Sequence, residues 1–405
     1  MYMIWNEQTD KKLSEEIVSV IPEVQSIRRQ IHMYPETGYD TVRTMELVRT
    51  KLRELGIPLI ESKVGVMARI PGSDHSRMIG LRADMDALPI QEENQVGYAS
   101  RIPGKMHACG HDAHTAMLLG AARILNDNRN ALPMDVLLIF QPAEEAPSPG
   151  GAKPMLKELD EKGMLPQIVA MFGQHIMLDF DVGKVGWIAG PIAASTDEFY
   201  LTIRGKGGHA GRPQRTIDAI SVGCKVVNNL ESYMSRRIDP MDSAVASVGM
   251  FHSGQAINVV AETAEISGTI RCLKETTRET VLKALKQIAE KTCETFGAVC
   301  ELKTIRGVPV TYNDPDITEY IRTVAEHTFG ADSVFRIPTP MMGAEDFAWF
   351  GEKIPCSYAW LGCWSEGYPR VNHQPRFDFD EQVLPTGVRL LTAVALHADH
   401  ITKSP

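Results

Sequence analysis

Apolar residues recur at helical spacing from residue 13 to residue 55, with a break near Pro35. Three short apolar runs follow, at 78–81, 136–140 and 168–172, and read as buried strands. Each runs into polar residues: Arg82-Ala83-Asp84-Met85-Asp86, Gln141-Pro142-Ala143-Glu144-Glu145 and Gly173-Gln174-His175. A helix is expected to start near Asp112, an acceptable N-cap, and to carry Ala116, Met117, Leu119, Gly120 and Ile124, with one stretch small enough for close packing. The polar residues therefore gather past the carboxyl ends of strands, the edge at which open α/β sheets bind ligands. Loop polarity alone would account for one such cluster; three clusters rich in His, Asp and Glu favour a site.

The pattern changes near Ser195. Residues 198–204 alternate like a strand, and 216–233 are helical with Ile217, Ile220, Cys224, Val227 and Leu230 on one face. Strands are expected at 244–251, 264–272 and 299–304, and an amphipathic helix at 277–296 with Val281, Leu285, Ile288, Thr292 and Phe296 in register. The order β-α-β-β-α-β is the ferredoxin-like unit. The expected fold is α/β: a mixed-sheet catalytic domain over 1–192 and 308–405, with residues 193–307 inserted as a ferredoxin-like domain. The chain must return to the first domain, because Asn372-His373 otherwise has no polar partners.

Composition narrows the function. A chain of 405 residues suits two domains. Its net charge of −9 argues against a nucleic-acid partner. No apolar run reaches the roughly 18 residues of a membrane span. The first ten residues have neither a basic nor an apolar leader segment, and seven scattered cysteines do not form a disulfide framework. The expected location is the cytoplasm.

Several residues could carry chemistry. Cys109 and His111 are a thiolate and an imidazole two residues apart, flanked by His107 and His114. By itself this block is also compatible with a buried cysteine beside helix-capping histidines. Adjacent carboxylates at Glu144 and Glu145 repel, which makes sense if one binds a cation and the other accepts a proton from an acidified water, with a solvated surface pair as the alternative. With His175 and His373, the set Cys109, His111, Glu145, His175 and His373 offers five N, O and S ligands. That is too many for one closed tetrahedral site and suits two ions sharing a bridge. Asp84 and Asp86 are placed behind the ligands, as acceptors for histidine N–H groups; an ordinary Asp-containing turn is the alternative. In the insert, Gly205-Lys206-Gly207-Gly208-His209-Ala210-Gly211 lacks the spacing of a phosphate loop. It reads as a glycine-rich turn that projects His209 to polarise a carbonyl, or as a plain surface loop. Asn258 and Arg271 lie in strand-like surroundings. Arg271 suits bidentate capture of a carboxylate, with an edge-strand arginine paired to a glutamate as the alternative.

Arg82-Ala83-Asp84-Met85-Asp86-Ala87-Leu88-Pro89, the block from His107 to His114, Gln141-Pro142-Ala143-Glu144-Glu145, Gly207-Gly208-His209-Ala210 and Gly343-Ala344-Glu345-Asp346-Phe347 occur in this order. Together they resemble the M20 metallopeptidase family in its amidohydrolase branch (subfamily D), from Arg28-Arg29 and His32-Met33-Tyr34-Pro35-Glu36 through His373. The resemblance implies that Cys109 bridges two metals and that His111, Glu145, His175 and His373 complete their coordination. It implies Glu144 as general base and then proton donor, with His209, Asn258 and Arg271 meeting substrate from a lid and Gly343 beside them. It implies a homodimer or higher homo-oligomer formed through that lid. The sequence departs from the branch at Gln174, often leucine, at Gly211 and Gln214, often alanine and histidine, and at Ala344, often serine. These changes leave the ligand set intact and fall near the expected substrate pocket.

The expected activity is therefore metal-dependent hydrolysis of N-acyl amino acids or similar small carboxylate-bearing amides. The cofactor would be two divalent ions, manganese or zinc, with cobalt or nickel also compatible. The rivals are another C–N hydrolase on the same site (dipeptidase, carbamoylase or aryl-amine deaminase) and a non-enzymatic metal-binding protein.

Overall fold

The structure is a computed structural model that describes residues 7–401. The leader reading for residues 1–6 lies outside them. The chain divides into two compact units. One comprises Met1–Gly190, Tyr312–Thr339 and Asp346–Pro405; the other comprises Pro191–Thr311 and Pro340–Glu345.

The first unit is built on an eight-stranded mixed sheet. Its order is Leu59–Ile60, Val66–Ile70, Asp135–Gln141, Met78–Asp84, Ile168–Asp181, Cys356–Trp364, Val185–Trp187 and Val334–Arg336. The centre is parallel: Met78–Asp84 pairs in parallel with both Asp135–Gln141 and Ile168–Asp181, which in turn pairs in parallel with Cys356–Trp364. Every residue of Met78–Asp84 and Asp135–Gln141 is buried. Parallel strands covered on both faces read as continuous apolar runs, which is why the sequence shows them.

The helices Glu7–Met33, His111–Asp127 and Val383–Leu396 pack on one another and share a core that includes Val24, Leu118, Leu125 and Val388. The helix expected to be capped by Asp112 is capped two residues earlier. Gly110, at φ 98°, is its N-cap, and Asp112 lies in the first turn. A Cβ at Gly110 would fall 2.3 Å from Ile176 Cδ1, so both backbone angle and space require glycine. The strand expected to end near His175 runs on to Asp181, so His175 is a mid-strand residue.

The second unit is a four-stranded antiparallel sheet in the order Ala244–Ser253, Thr263–Cys272, Ser195–Arg204, Val299–Arg306. Helices Ala219–Arg237 and Glu275–Thr295 follow the first and third of its strands along the chain. Phe199, Leu201, Val222, Val226, Ile266, Val281 and Leu285 form its core. The buried face of the first helix differs from the expected one: Ala219, Val222, Gly223, Val226 and Leu230 are inside, while Ile220 and Cys224 are exposed. Close packing explains this: a Cβ at Gly223 would lie 2.7 Å from Phe251 and 3.2 Å from Ile266, so small residues face the sheet. Segment 340–345, expected in the first domain, belongs to this unit. Met341 N donates to Ile192 O at 2.9 Å, and Ala194 N to Gly343 O at 2.8 Å.

No helix among the described residues is long and apolar enough to cross a membrane. Gly120 lets two helices approach closely, since a Cβ there would lie 2.6 Å from Val24 Cγ2. Gly120→Ala is expected to cost about 1–3 kcal/mol of stability by overpacking, read as a fall in the urea midpoint.

Candidate metal centre

The loop before the helix His111–Asp127 brings Cys109 to the strand Ile168–Asp181. Cys109 Sγ lies 3.3 Å from His175 Nε2. His175 Nδ1 donates to Ile176 O at 2.6 Å, which leaves the Nε2 lone pair facing the sulfur. Burial holds His175 well below its usual pKa, so the ring is neutral as a ligand must be. On the other side His373 Nε2 stands 3.1 Å from Glu145 Oε1. His373 N donates to Ala108 O at 2.8 Å, and the His373 backbone is left-handed at φ 53°. That conformation is uncommon for a non-glycine residue and points to a functional constraint.

Ligand atoms of Cys109, His111 and His175 lie within 4.8 Å of one another, as do those of Cys109, Glu145 and His373, and those of His111, Glu144 and Glu145. Cys109 belongs to the first two groups and so occupies the middle. His111 decides whether a cation fits: it is fully buried, and neither ring nitrogen has a hydrogen-bond partner among the described residues. Burying an imidazole unbonded is costly, and a soft thiolate with imidazole and carboxylate is a donor set for divalent metals. The residues present fit such ions. Local charge agrees. Burial, and then Glu145, push the Cys109 thiol well up. His111 is held well above its ordinary value; burial opposes its charge, but the Asp84 carboxylate overcomes it. A proton on His111 answers the same negative potential that a divalent cation would.

Asp86 supports the site from behind. Its Oδ1 accepts from Glu144 N at 2.9 Å and its Oδ2 from Glu145 N at 3.0 Å. Its Oδ1 is also 3.5 Å from His111 Nδ1. One carboxylate thus fixes the Glu144-Glu145 turn, which is entered through Ala143 at φ 62°. Asp84 accepts from Arg82 Nη1 at 2.6 Å and from His114 Nδ1 at 2.7 Å. His114 Nε2 accepts from Ile176 N at 3.0 Å. Asp84, His111 and His114 also converge, but both His114 nitrogens are committed, so His114 links Asp84 to the strand of His175. His107 is buried and neutral, pushed down by burial to about 3.

Some of the supporting residues did not stand out in the sequence. Arg82 donates to Gln141 Oε1 and Asp346 Oδ1, both at 2.9 Å, and Gln141 Nε2 donates to Asp346 at 2.7 Å. Asp346 N approaches Glu144 Oε1 at 3.5 Å. All three occur within the motifs quoted above, and a buried arginine beside a strand-end carboxylate was the available signal.

In the second unit, His209 and Asn258 come together. Val259 pairs with His209, and Ala210 N donates to Asn258 O at 3.1 Å. His209 is exposed, and its Nδ1 accepts from Gly211 N at 3.0 Å. Arg271 lies on an internal strand rather than an edge. Its Nη1 donates to Met342 O at 2.9 Å, next to Gly343.

Residues 80–397 match the model of Peptidase family M20/M25/M40. Thermostable carboxypeptidase 1 of Saccharolobus solfataricus is 38% identical over 93% of this chain and 95% of its own length. The N-acetylcysteine deacetylase of Bacillus subtilis is 37% identical over 92% of this chain and 95% of its own. A dinuclear metal-binding M20 peptidase from Bacillus subtilis superposes with a TM-score of 0.81 at 31% identity, covering 95% of this chain and 99% of the other. The chain belongs to the M20/M25/M40 peptidase family. It is a metal-dependent amide hydrolase.

Replacing Asp86 with Ala releases the two N–H groups behind Glu144 and Glu145 as well as the acceptor near His111. Metal affinity should fall roughly 10–100-fold, read as metal retained after dialysis against a buffered chelator.

Proposed function

We propose that this chain holds two divalent ions and hydrolyses the amide bond of N-acyl amino acids or similar small carboxylate-bearing amides. Cys109 would bridge the ions, with His111, Glu145, His175 and His373 as the remaining ligands. When bound, the ions would supply an acidified water and positive charge for the carbonyl oxygen. Zinc or manganese fits this donor set best, and cobalt or nickel is compatible.

Glu144 is the proton carrier. Its backbone is fixed by Asp86, and its Oε2 lies 3.9 Å from His111 Nε2, so its carboxylate borders the ligand groups. It takes one proton from water as the oxygen adds to the carbonyl carbon. It then passes that proton to the amine nitrogen as the C–N bond breaks, leaving a carboxylic acid and an amine. His209 donates to the developing oxyanion. With Nδ1 accepting from Gly211, the ring proton sits on Nε2, where it can donate outward. Arg271, Asn258 and the backbone at Gly343 hold the substrate carboxylate. The second unit acts as a lid and forms a homodimer, and the protein works in the cytoplasm.

The single observation behind this reading is the placement of Glu144 beside a histidine, cysteine and carboxylate set that offers room for two ions. A peptide substrate is the second reading, favoured by likeness to a carboxypeptidase. Parallel assays on N-acyl amino acids, dipeptides, N-carbamoyl amino acids and aryl amines, after loading with each metal, decide between them. Turnover confined to dipeptides or aryl amines would replace the acyl assignment. Glu144→Gln should keep its metal content and lose hydrolysis by at least ~100-fold; near-normal turnover by that variant would remove Glu144 from its role.

A further inference from the structure

Three segments of the first unit converge on one buried side chain of the helix Glu7–Met33, Arg28. Its Nε is 2.8 Å from Asp112 Oδ2, its Nη1 3.3 Å from Glu381 Oε1, and its Nη2 3.7 Å from Asp378 Oδ1. The guanidinium also lies 4.7 Å from the Tyr98 ring centre and 4.5 Å from that of Phe379. His32, one turn further along the same helix, extends the cluster. Its Nδ1 meets Asp112 Oδ2 at 2.8 Å, and its Nε2 meets Glu92 Oε1 at 3.3 Å. Arg28 is fully buried. A charge so placed is tolerated only when opposite charges surround it, and a planar guanidinium can face several carboxylates at once where a lysine cannot.

The carboxylates it gathers come from two places that matter to the metal centre. Asp112 directly follows His111. Asp378 and Glu381 lie on the segment that begins at His373. That segment needs an anchor, because His373 is the most weakly packed of the five ligands, with 47% of its side chain exposed. Its near end is tied by His373 N to Ala108 O, and its middle by Glu93 N to Pro375 O and Asn94 Nδ2 to Phe377 O, each at 2.8 Å. Its far end is held by Arg28, with Arg29 and Gln25 also donating to Glu381.

We propose that Arg28 is a positioning residue of the metal centre, fixing the His373 segment against the helix that carries His111 so that the two halves of the ligand set stay in register. The inference rests on the binuclear reading above. Arg28 touches neither ion nor substrate and acts through Asp112, Asp378 and Glu381. Its loss should therefore weaken one ion, the one shared by Glu145 and His373, and spare the other.

The test is metal stoichiometry per chain at buffered free metal, measured for the wild type, Arg28→Met and Asp378→Asn, with apo-protein melting alongside. The wild type is expected to bind two ions. Each variant should keep one tight ion and bind the second roughly 10–100-fold more weakly, the scale seen when groups behind metal ligands are changed. Raising free metal should then restore turnover, which general damage to the fold would not allow. Should Arg28→Met fail to fold, Asp378→Asn decides, because it keeps the side chain's size, weakens Arg28's hold on the His373 segment and leaves the Arg28–Asp112 contact in place. Two ions bound with wild-type affinity in a merely less stable variant, or loss of both ions together, would overturn the proposal. A wild type that binds fewer than two ions would overturn the binuclear reading itself, and this inference with it.

Discussion

Negative charge buried at the ends of the central strands is the constraint on which the first unit depends. Asp84 and Asp86 are fully buried, Glu144 and Glu145 lie beside them, and Asp346 joins from later in the chain. Arg82 pairs with Asp84 and Asp346, but one guanidinium cannot balance five carboxylates. Burying ionised carboxylates costs several kcal/mol each. An all-apolar site of this shape would be more stable and would do nothing. The fold keeps the charges because the parallel strands beneath them are rigid and dry, and because cations can offset the excess. Asp86 shows the economy of the arrangement, since the same carboxylate that adds to the problem also satisfies two backbone donors of the Glu144-Glu145 turn.

The candidate ligands were legible in the sequence because their chemistry resides in residue types. Cys109, His111, Glu145, His175 and His373 are few, distinctive and placed beside apolar runs, and the structure gathers them into overlapping groups. What the sequence did not reveal was which nitrogen each histidine has free. His114 looks as capable as His111, yet its two nitrogens bond Asp84 and Ile176 N, a backbone donor 62 residues away. Long-range pairing of that kind leaves no local trace. The same holds for Arg28, whose partners come from Asp112 and the 378–381 segment.

Helical periodicity failed in a more ordinary way. In Ala219–Arg237 the apolar residues Ile220 and Cys224 face solvent, and small residues such as Ala219 and Gly223 pack inside. A count of large apolar side chains selects the wrong stripe when close packing against a sheet calls for small ones. The start of His111–Asp127 was misplaced for a different reason. Asp112 is a good cap by type, but its carboxylate is taken by Arg28 and His32, and the left-handed Gly110 ends the loop instead.

The membership of 340–345 in the second unit bears on how that unit can be handled as a piece. The chain passes between the units four times, not twice. Cutting out 191–311 alone would strip Arg271 of its Met342 carbonyl, and would remove the mates of Ile192 O and Ala194 N. Any chimera that exchanges this unit between relatives must therefore carry the short return segment with it. A graft that follows the obvious boundaries would present an arginine without its tether, and a change in specificity seen in such a graft would report the missing six residues as much as the exchanged ones.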